Sequence, residues 1–220
     1  TSSLITAGGI GLVLVNGNAG TATGAGANGV KILSNSQITS AGGNITVNGV
    51  GGSSGSSDLC AVYLNGGSIA GINSANVTVT GTGGTVSGIN NYGIYLDGVS
   101  SSIYATNGTV TLTGTGGGAG ASSSNHGVVL KGVVTTLGTG KINVVATGGT
   151  GTGGNNLGLN FATNVAQIIS GGGDIDITAI EGAGATSRGL NMTGNSIIRT
   201  DLINGNINVK TNSAIIDGLM

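Results

Sequence analysis

The sequence has no proline and no tryptophan, one cysteine, and only 6% charged and 2% aromatic residues. Each shortage excludes something. Cys60 alone leaves no internal disulfide to form. The basic residues Lys31, Lys131, Lys141, Arg188, Arg199 and Lys210 are scattered and the net charge is −1, so nothing neutralises phosphates in a row and nucleic acid is not an expected partner. No apolar run approaches the ~18 residues that a membrane span needs, so membrane insertion is not expected. Good helix formers are scarce, with one Glu and two Met, and almost no helix is expected. Charge is too low for ordinary disorder, which relies on high net charge. No stretch reads as a signal peptide, and the first residue is Thr1 rather than Met, which reads as a processed or partial chain.

What fills the chain instead is glycine, 48 of 220 residues, together with Val, Ile, Thr, Asn and Ser. The β-branched residues suit a pleated strand, and Gly, Asn and Ser suit tight turns. Their order is periodic. Ile45-Thr46-Val47 returns as Val77-Thr78-Val79, Val110-Thr111-Leu112, Ile142-Asn143-Val144, Ile175-Asp176-Ile177 and Ile207-Asn208-Val209, with an earlier copy at Val13-Leu14-Val15. A second motif precedes it at Val30-Lys31-Ile32, Val62-Tyr63-Leu64, Ile94-Tyr95-Leu96, Val128-Val129-Leu130, Leu159-Asn160-Phe161 and Leu190-Asn191-Met192. The spacings run from 31 to 34 residues, and all 26 flanking positions are apolar in a chain that is 38% hydrophobic. Apolar flanks around a mostly polar centre are period-two alternation, so the flanks face inward and the centres outward. A third, looser strand is expected around Ile5, Ile38, Ile69, Ile103, Leu137, Ile168 and Ile197. Glycine-rich corners and a loop of about a dozen small residues close each unit.

One such unit cannot bury its apolar side alone, whereas a stack of units buries a continuous core. The expected fold is therefore an all-β, right-handed parallel β-helix (a β-solenoid) of about seven coils of roughly 32 residues. Residues 1–220 form one domain without recognisable caps. At ~4.8 Å per strand the rod would be on the order of 33 Å long. Thr1 to Ile10 and Ala214 to Met220 read as coils cut in mid-repeat. End-to-end association is expected, with flanking coils of a longer chain or with other copies.

The Gly-x-Ile-x-Val-x-Gly pattern with its glycine-rich turn resembles the β-helical passengers of filamentous haemagglutinin-like and autotransporter-like bacterial adhesins. That resemblance implies export, a location outside the cell or on its surface, an extended shaft and adhesion to a host surface or glycan. It carries no catalytic motif and no cofactor.

Column positions constrain every candidate site. Asp97 with Lys131, and Lys141 with Asp174, fall on adjacent coils ~5 Å apart and read as rung-to-rung ion pairs. Asp174 and Asp176 are too few oxygens for calcium, and Gly171-Gly172-Gly173-Asp174 matches a calcium repeat only once. Cys60 and His126 lie two coils apart with Tyr92 between, too far to share a proton or a metal ion. Cys60 reads as a semi-buried thiol and His126 as a solvent-facing turn residue. Thr46, Thr78 and Thr111 form an outward column that could suggest an ice-binding face, but it breaks at Asn143 and Asp176. No catalytic, cofactor or metal residue is assigned. The one possible contact strip is Lys31, Tyr63 and Tyr95, stacked in one outward column. The leading expectation is a non-catalytic structural shaft of an exported bacterial adhesin or extracellular fibre. The alternatives are a filament subunit that stacks end to end and a glycan-processing or glycan- or ice-binding β-helix.

Overall fold

A computed structural model describes residues 2–21, 24–54, 57–202 and 204–217. The chain makes a strand wherever the alternating motif recurs and a corner wherever glycine, asparagine or serine interrupts it. The first coil carries β1 (Leu4–Ala7), β2 (Val13–Asn18) and β3 (Val30–Leu33); the second carries β4 (Gln37–Ser40), β5 (Ile45–Val50) and β6 (Val62–Asn65). Then follow β7 (Ser68–Gly71), β8 (Val77–Thr82), β9 (Ile94–Asp97), β10 (Ser102–Ala105), β11 (Val110–Thr115) and β12 (Val128–Leu130). The rest are β13 (Val133–Thr136), β14 (Ile142–Thr147), β15 (Leu159–Phe161), β16 (Gln167–Ser170), β17 (Ile175–Ile180) and β18 (Leu190–Thr193). The last rung is β19 (Ile197–Thr200), β20 (Ile207–Thr211) and β21 (Ala214–Asp217). Among the described residues there is no helix.

Every third strand pairs with the one a coil away. The result is three parallel seven-stranded sheets, running from β1 to β19, from β2 to β20 and from β3 to β21. The chain is thus a three-sided β-solenoid. Seven strands per sheet are joined by six turn-to-turn steps, so about six complete turns replace the expected seven. The register is in phase throughout: Val47 faces Val79, which faces Leu112, which faces Val144.

The core is the set of inward flanks. Ile45, Val47, Val79, Leu96, Leu112, Leu130, Ile142 and Phe161 are all buried in one apolar cluster. At the two ends the same positions have no rung beyond them. On the first rung Val15 is partly buried while Val13, Val30 and Ile32 stay buried; on the last, Ile207 and Val209 are exposed. In the inward columns, Ile5 is exposed at one end, and Ile207, Val209 and Ile216 at the other.

Two details differ from the sequence reading. The third strand of the fifth coil is centred on Val134, which pairs with Ile103, whereas Leu137 is exposed in the following turn. In the last coil it is Ile198, not Ile197, that stands opposite Ile168. Both errors come from short corners whose length varies by a residue, because a one-residue slip exchanges the two faces of a strand. Val129, a strand centre expected to face outward, is buried between Tyr95 and Asn160 on the adjoining rungs.

The long loop of each coil has its own ladder. Asp58, Asn90, Ser124, Asn155 and Thr186 each adopt a positive φ at the same point of their coil. Asp and Asn tolerate this left-handed turn better than most side chains. The next residue in the coils from Asn90 to Asn155 is a buried asparagine, Asn91, Asn125 and Asn156 in turn. Asn91 Oδ1 accepts from Leu59 N–H (3.2 Å), Asn125 Oδ1 from Asn91 N–H (3.0 Å) and Asn156 Oδ1 from Asn125 N–H (2.9 Å). Each side chain therefore satisfies a main-chain group that the turn has removed from the sheets. Beside this ladder runs a column of glycines. A Cβ on Gly117 would strike the Gly84 carbonyl, and one on Gly149 would strike that of Gly117. Only glycine lets these loops stack at the spacing the sheets impose. Among the described residues, no buried side-chain nitrogen or oxygen lacks a hydrogen-bond partner.

Candidate binding cleft

A surface cleft forms where the long loops fold back along the outer face of β3, β6 and β9. Those strands place Lys31, Tyr63 and Tyr95 directly above one another, because Lys31 pairs with Tyr63 and Tyr63 with Tyr95. The loops supply the opposite wall. The left-handed turns at Asp58 and Asn90 (φ 61° and 63°) redirect the chain just before Cys60 and Tyr92. The cleft is half-open, about 330 Å³, and is lined by Gly26, Asn28, Lys31, Asp58, Cys60, Tyr63, Asn90, Tyr92, Tyr95 and Asp97.

Its rings are in mutual contact. Tyr63 and Tyr95 are tilted at 5.4 Å, Tyr92 meets Tyr95 edge-on at 5.0 Å, and His126 stacks on Tyr92 at 5.1 Å. Lys31 Nζ lies 5.4 Å from the Tyr63 ring centre and Lys131 Nζ 5.1 Å from that of Tyr95, both within cation–π range.

Asp97 fastens the strand side. It accepts from Tyr63 Oη (2.8 Å), Tyr95 Oη (2.8 Å), Asn65 Nδ2 (3.1 Å) and Lys131 Nζ (2.9 Å). Partial burial opposes its ionisation, but these donors outweigh it and hold the carboxyl below the usual range. The same contacts work the other way on the phenols. Burial, then the carboxylate beside it, pushes Tyr95 upward. Burial raises Tyr92 as well. On the loop side Tyr92 Oη donates to Asn90 Oδ1 (2.9 Å), and Asn90 Nδ2 donates to Asp58 Oδ1 (3.0 Å).

His126 corrects the sequence reading. It is 5% exposed, and its Nδ1 accepts from Leu157 N–H at 3.1 Å. Burial pushes it down to about 4, so the imidazole is neutral near pH 7. It does for its coil what Asn28 does three rungs earlier, where Oδ1 accepts from Cys60 N–H (3.0 Å). Cys60 is fully buried rather than half-buried, and burial pushes its thiol up to about 12. Tyr92 occupies the rung between Cys60 and His126, as the column order requires.

The remaining sequence candidates are rung-to-rung ties. Asp97–Lys131 and Lys141–Asp174 each close at 2.9 Å. Asp174 also accepts from Asn206 N–H (2.9 Å), and that bond together with Lys141 holds its carboxyl below the ordinary range. Asp176 accepts from Asn208 Nδ2 (2.8 Å). Among the described residues, no group of three or more His, Cys, Asp or Glu side chains is placed to hold a metal ion. Thr46, Thr78 and Thr111 do stack, and the column continues as Asn143 and Asp176.

The strip Lys31–Tyr63–Tyr95 was legible in the sequence, and the structure brings it together. Tyr92, Asp58, Asn28 and Asn90 were not recognised as its neighbours. Their columns were readable, but not the return of the loops along the strand face. The chain has no match among protein-family models, curated proteins or solved structures.

Proposed function

We propose that this chain is a non-catalytic structural shaft, a stretch of stiff rod within an exported bacterial surface adhesin or extracellular fibre. The observation that carries the reading is the unbroken stack: each sheet runs in register from the first rung to the last, and both end faces are open and apolar. Such faces are templates for further strands, supplied by flanking coils of the same chain or by another copy. Contact between unlike ends does not close on itself, so it lengthens the rod. Thr, Asn and Asp side chains on the outer faces tie rung to rung, and Cys60 and His126 are buried. These features favour a scaffold over a reaction centre.

Negative-stain electron microscopy and sedimentation across a concentration series test the proposal. Rods that lengthen with concentration, or fail to do so only when flanking coils are supplied, are the expected result. Compact monomers that persist at high concentration without any partner at either end would overturn it. Turnover of pectin or alginate, abolished by Asp174→Asn or Asp176→Asn, would replace it with the glycan-processing alternative.

A further inference from the structure

We propose that the tyrosine cleft is a binding site for a neutral pyranose unit of a glycan. The proposal stands on the cleft alone and is independent of the rod's role in a fibre.

The first ground is local departure from the repeat. The protein has four tyrosines, and Tyr63, Tyr92 and Tyr95 meet in this one place. Other coils put Asn160 and Asn191 in the column of Tyr63 and Tyr95, and Leu157 and Arg188 in that of Tyr92. Those coils stack equally well, so the sheets do not require the rings.

The second ground is the match of chemistry. A pyranose offers a C–H face and a rim of hydroxyls. The cleft offers ring surface together with Asn28 and Asn90 amides, the Asp58 carboxylate and the Lys31 ammonium. Amides donate and accept, the carboxylate accepts and the ammonium donates, which is what hydroxyls on several carbons need. A volume of about 330 Å³ lies at the small end of ligand sites and suits a single ring.

The third ground excludes charged ligands of similar size. A cation drawn to Tyr63 or Tyr95 would be repelled by the ammonium groups of Lys31 and Lys131, which lie 5.4 and 5.1 Å from those ring centres. Asp97 is engaged by four donors, Lys131 among them. An anion would face two carboxylates, Asp58 and Asp97, against the single ammonium of Lys31 in the lining. A neutral, hydroxyl-rich ring avoids both conflicts.

The test uses the full 220-residue chain and saturation-transfer NMR titrations. The probes are methyl glucoside, methyl galactoside, methyl mannoside, methyl glucuronide and tetramethylammonium. At least one neutral hexoside should bind with millimolar affinity, ahead of the uronate and the cation. Tyr63→Ala should weaken that binding roughly tenfold or more, as loss of an aromatic anchor does. Asp58→Asn keeps a residue that tolerates the left-handed turn and should weaken it about fivefold through the lost carboxylate. Lys141→Ala, at an exposed ion pair outside the cleft lining, should leave it within about twofold. Melting curves recorded on each variant confirm the fold, and Asp58→Asn decides the matter if Tyr63→Ala unfolds. The proposal fails if no neutral hexoside binds, if the uronate or tetramethylammonium binds more tightly, or if the deciding variants leave the affinity unchanged.

Discussion

Val79 and Val209 are the same residue type in the same column, four rungs apart, yet Val79 is 0% exposed and Val209 42%. Nothing in their local sequence separates them, since each is the second flank of the same motif. What differs is the rung beyond. Burial in this fold depends on the stack as well as on the residue: the last rung leaves Val209 exposed, while the first keeps Val13, Val30 and Ile32 buried with a copy on one side alone. The exposed flanks of the last rung are therefore ordinary repeat positions with a copy on one side alone.

The sharpest way to break that comparison is to place the same charge at both positions. Val79→Asp buries an unpaired carboxylate and should cost about 5 kcal/mol or more, enough to disrupt the central coils. Val209→Asp in the isolated chain should change the urea midpoint by no more than about 0.5 kcal/mol equivalent. Equal effects would show that the two rungs are not distinguished by stacking.

Next comes the inner ladder against the outer one. Asn125→Ala leaves the buried Asn91 N–H without its acceptor and should cost about 3 kcal/mol. Thr111→Ala, in the half-exposed outer column of the neighbouring sheet, should cost well under half of that. Urea midpoints of the two variants measured side by side settle the order.

The third contrast is one of pH. His126 is neutral in the folded chain, at about 4 against 6.5 for the free side chain. Between those values the unfolded chain binds a proton that the folded chain refuses. Stability from this site is thus complete above pH 6.5 and falls as pH drops toward 4, by at most about 3 kcal/mol. His126→Asn installs the acceptor that Asn28 uses in the same column, and it should remove this part of the acid loss. A pH–melting series on both proteins reads the difference.

The smallest effect separates the two ion pairs. Lys131→Ala breaks a pair that is packed over Tyr95 and partly buried, and should cost about 1 kcal/mol, less at high salt. Lys141→Ala removes an exposed partner of Asp174 and should give a smaller shift in melting temperature.

The apolar ladders and the Lys31–Tyr63–Tyr95 strip were legible because both follow from period alone. Once Ile45 and Val77 are known to stack, so are Lys31 and Tyr63. The third strand was misplaced at Leu137 and Ile197 because its corners vary in length and each coil offers two apolar residues within reach. The asparagine ladder went unseen although Asn91, Asn125 and Asn156 recur at repeat spacing. Asparagine in a glycine-rich loop reads as a turn residue, and only the burial of that loop turns it into a main-chain partner. His126 was misjudged for the same reason. A polar residue in a loop was taken to face water, while the loop packs inward and the ring supplies an acceptor to Leu157. Tyr92 and Asp58 escaped the cleft because sequence columns order residues along the rod but do not say how far a loop folds around it.

The constant offset between partners has a kinetic side. Strand pairings between neighbouring rungs join residues 30 to 34 positions apart, as in Gln167–Ile197 and Ser102–Ser68, except the last, Leu190–Ala214, at 24. No sheet joins the start of the chain directly to its end. The entropy of closing a coil is therefore about the same at every step, and only the first pair of coils forms without a template. Folding then resembles the growth of a crystal from a seed: a slow nucleus of two rungs, followed by quick additions, each possible as soon as its own stretch of chain is free.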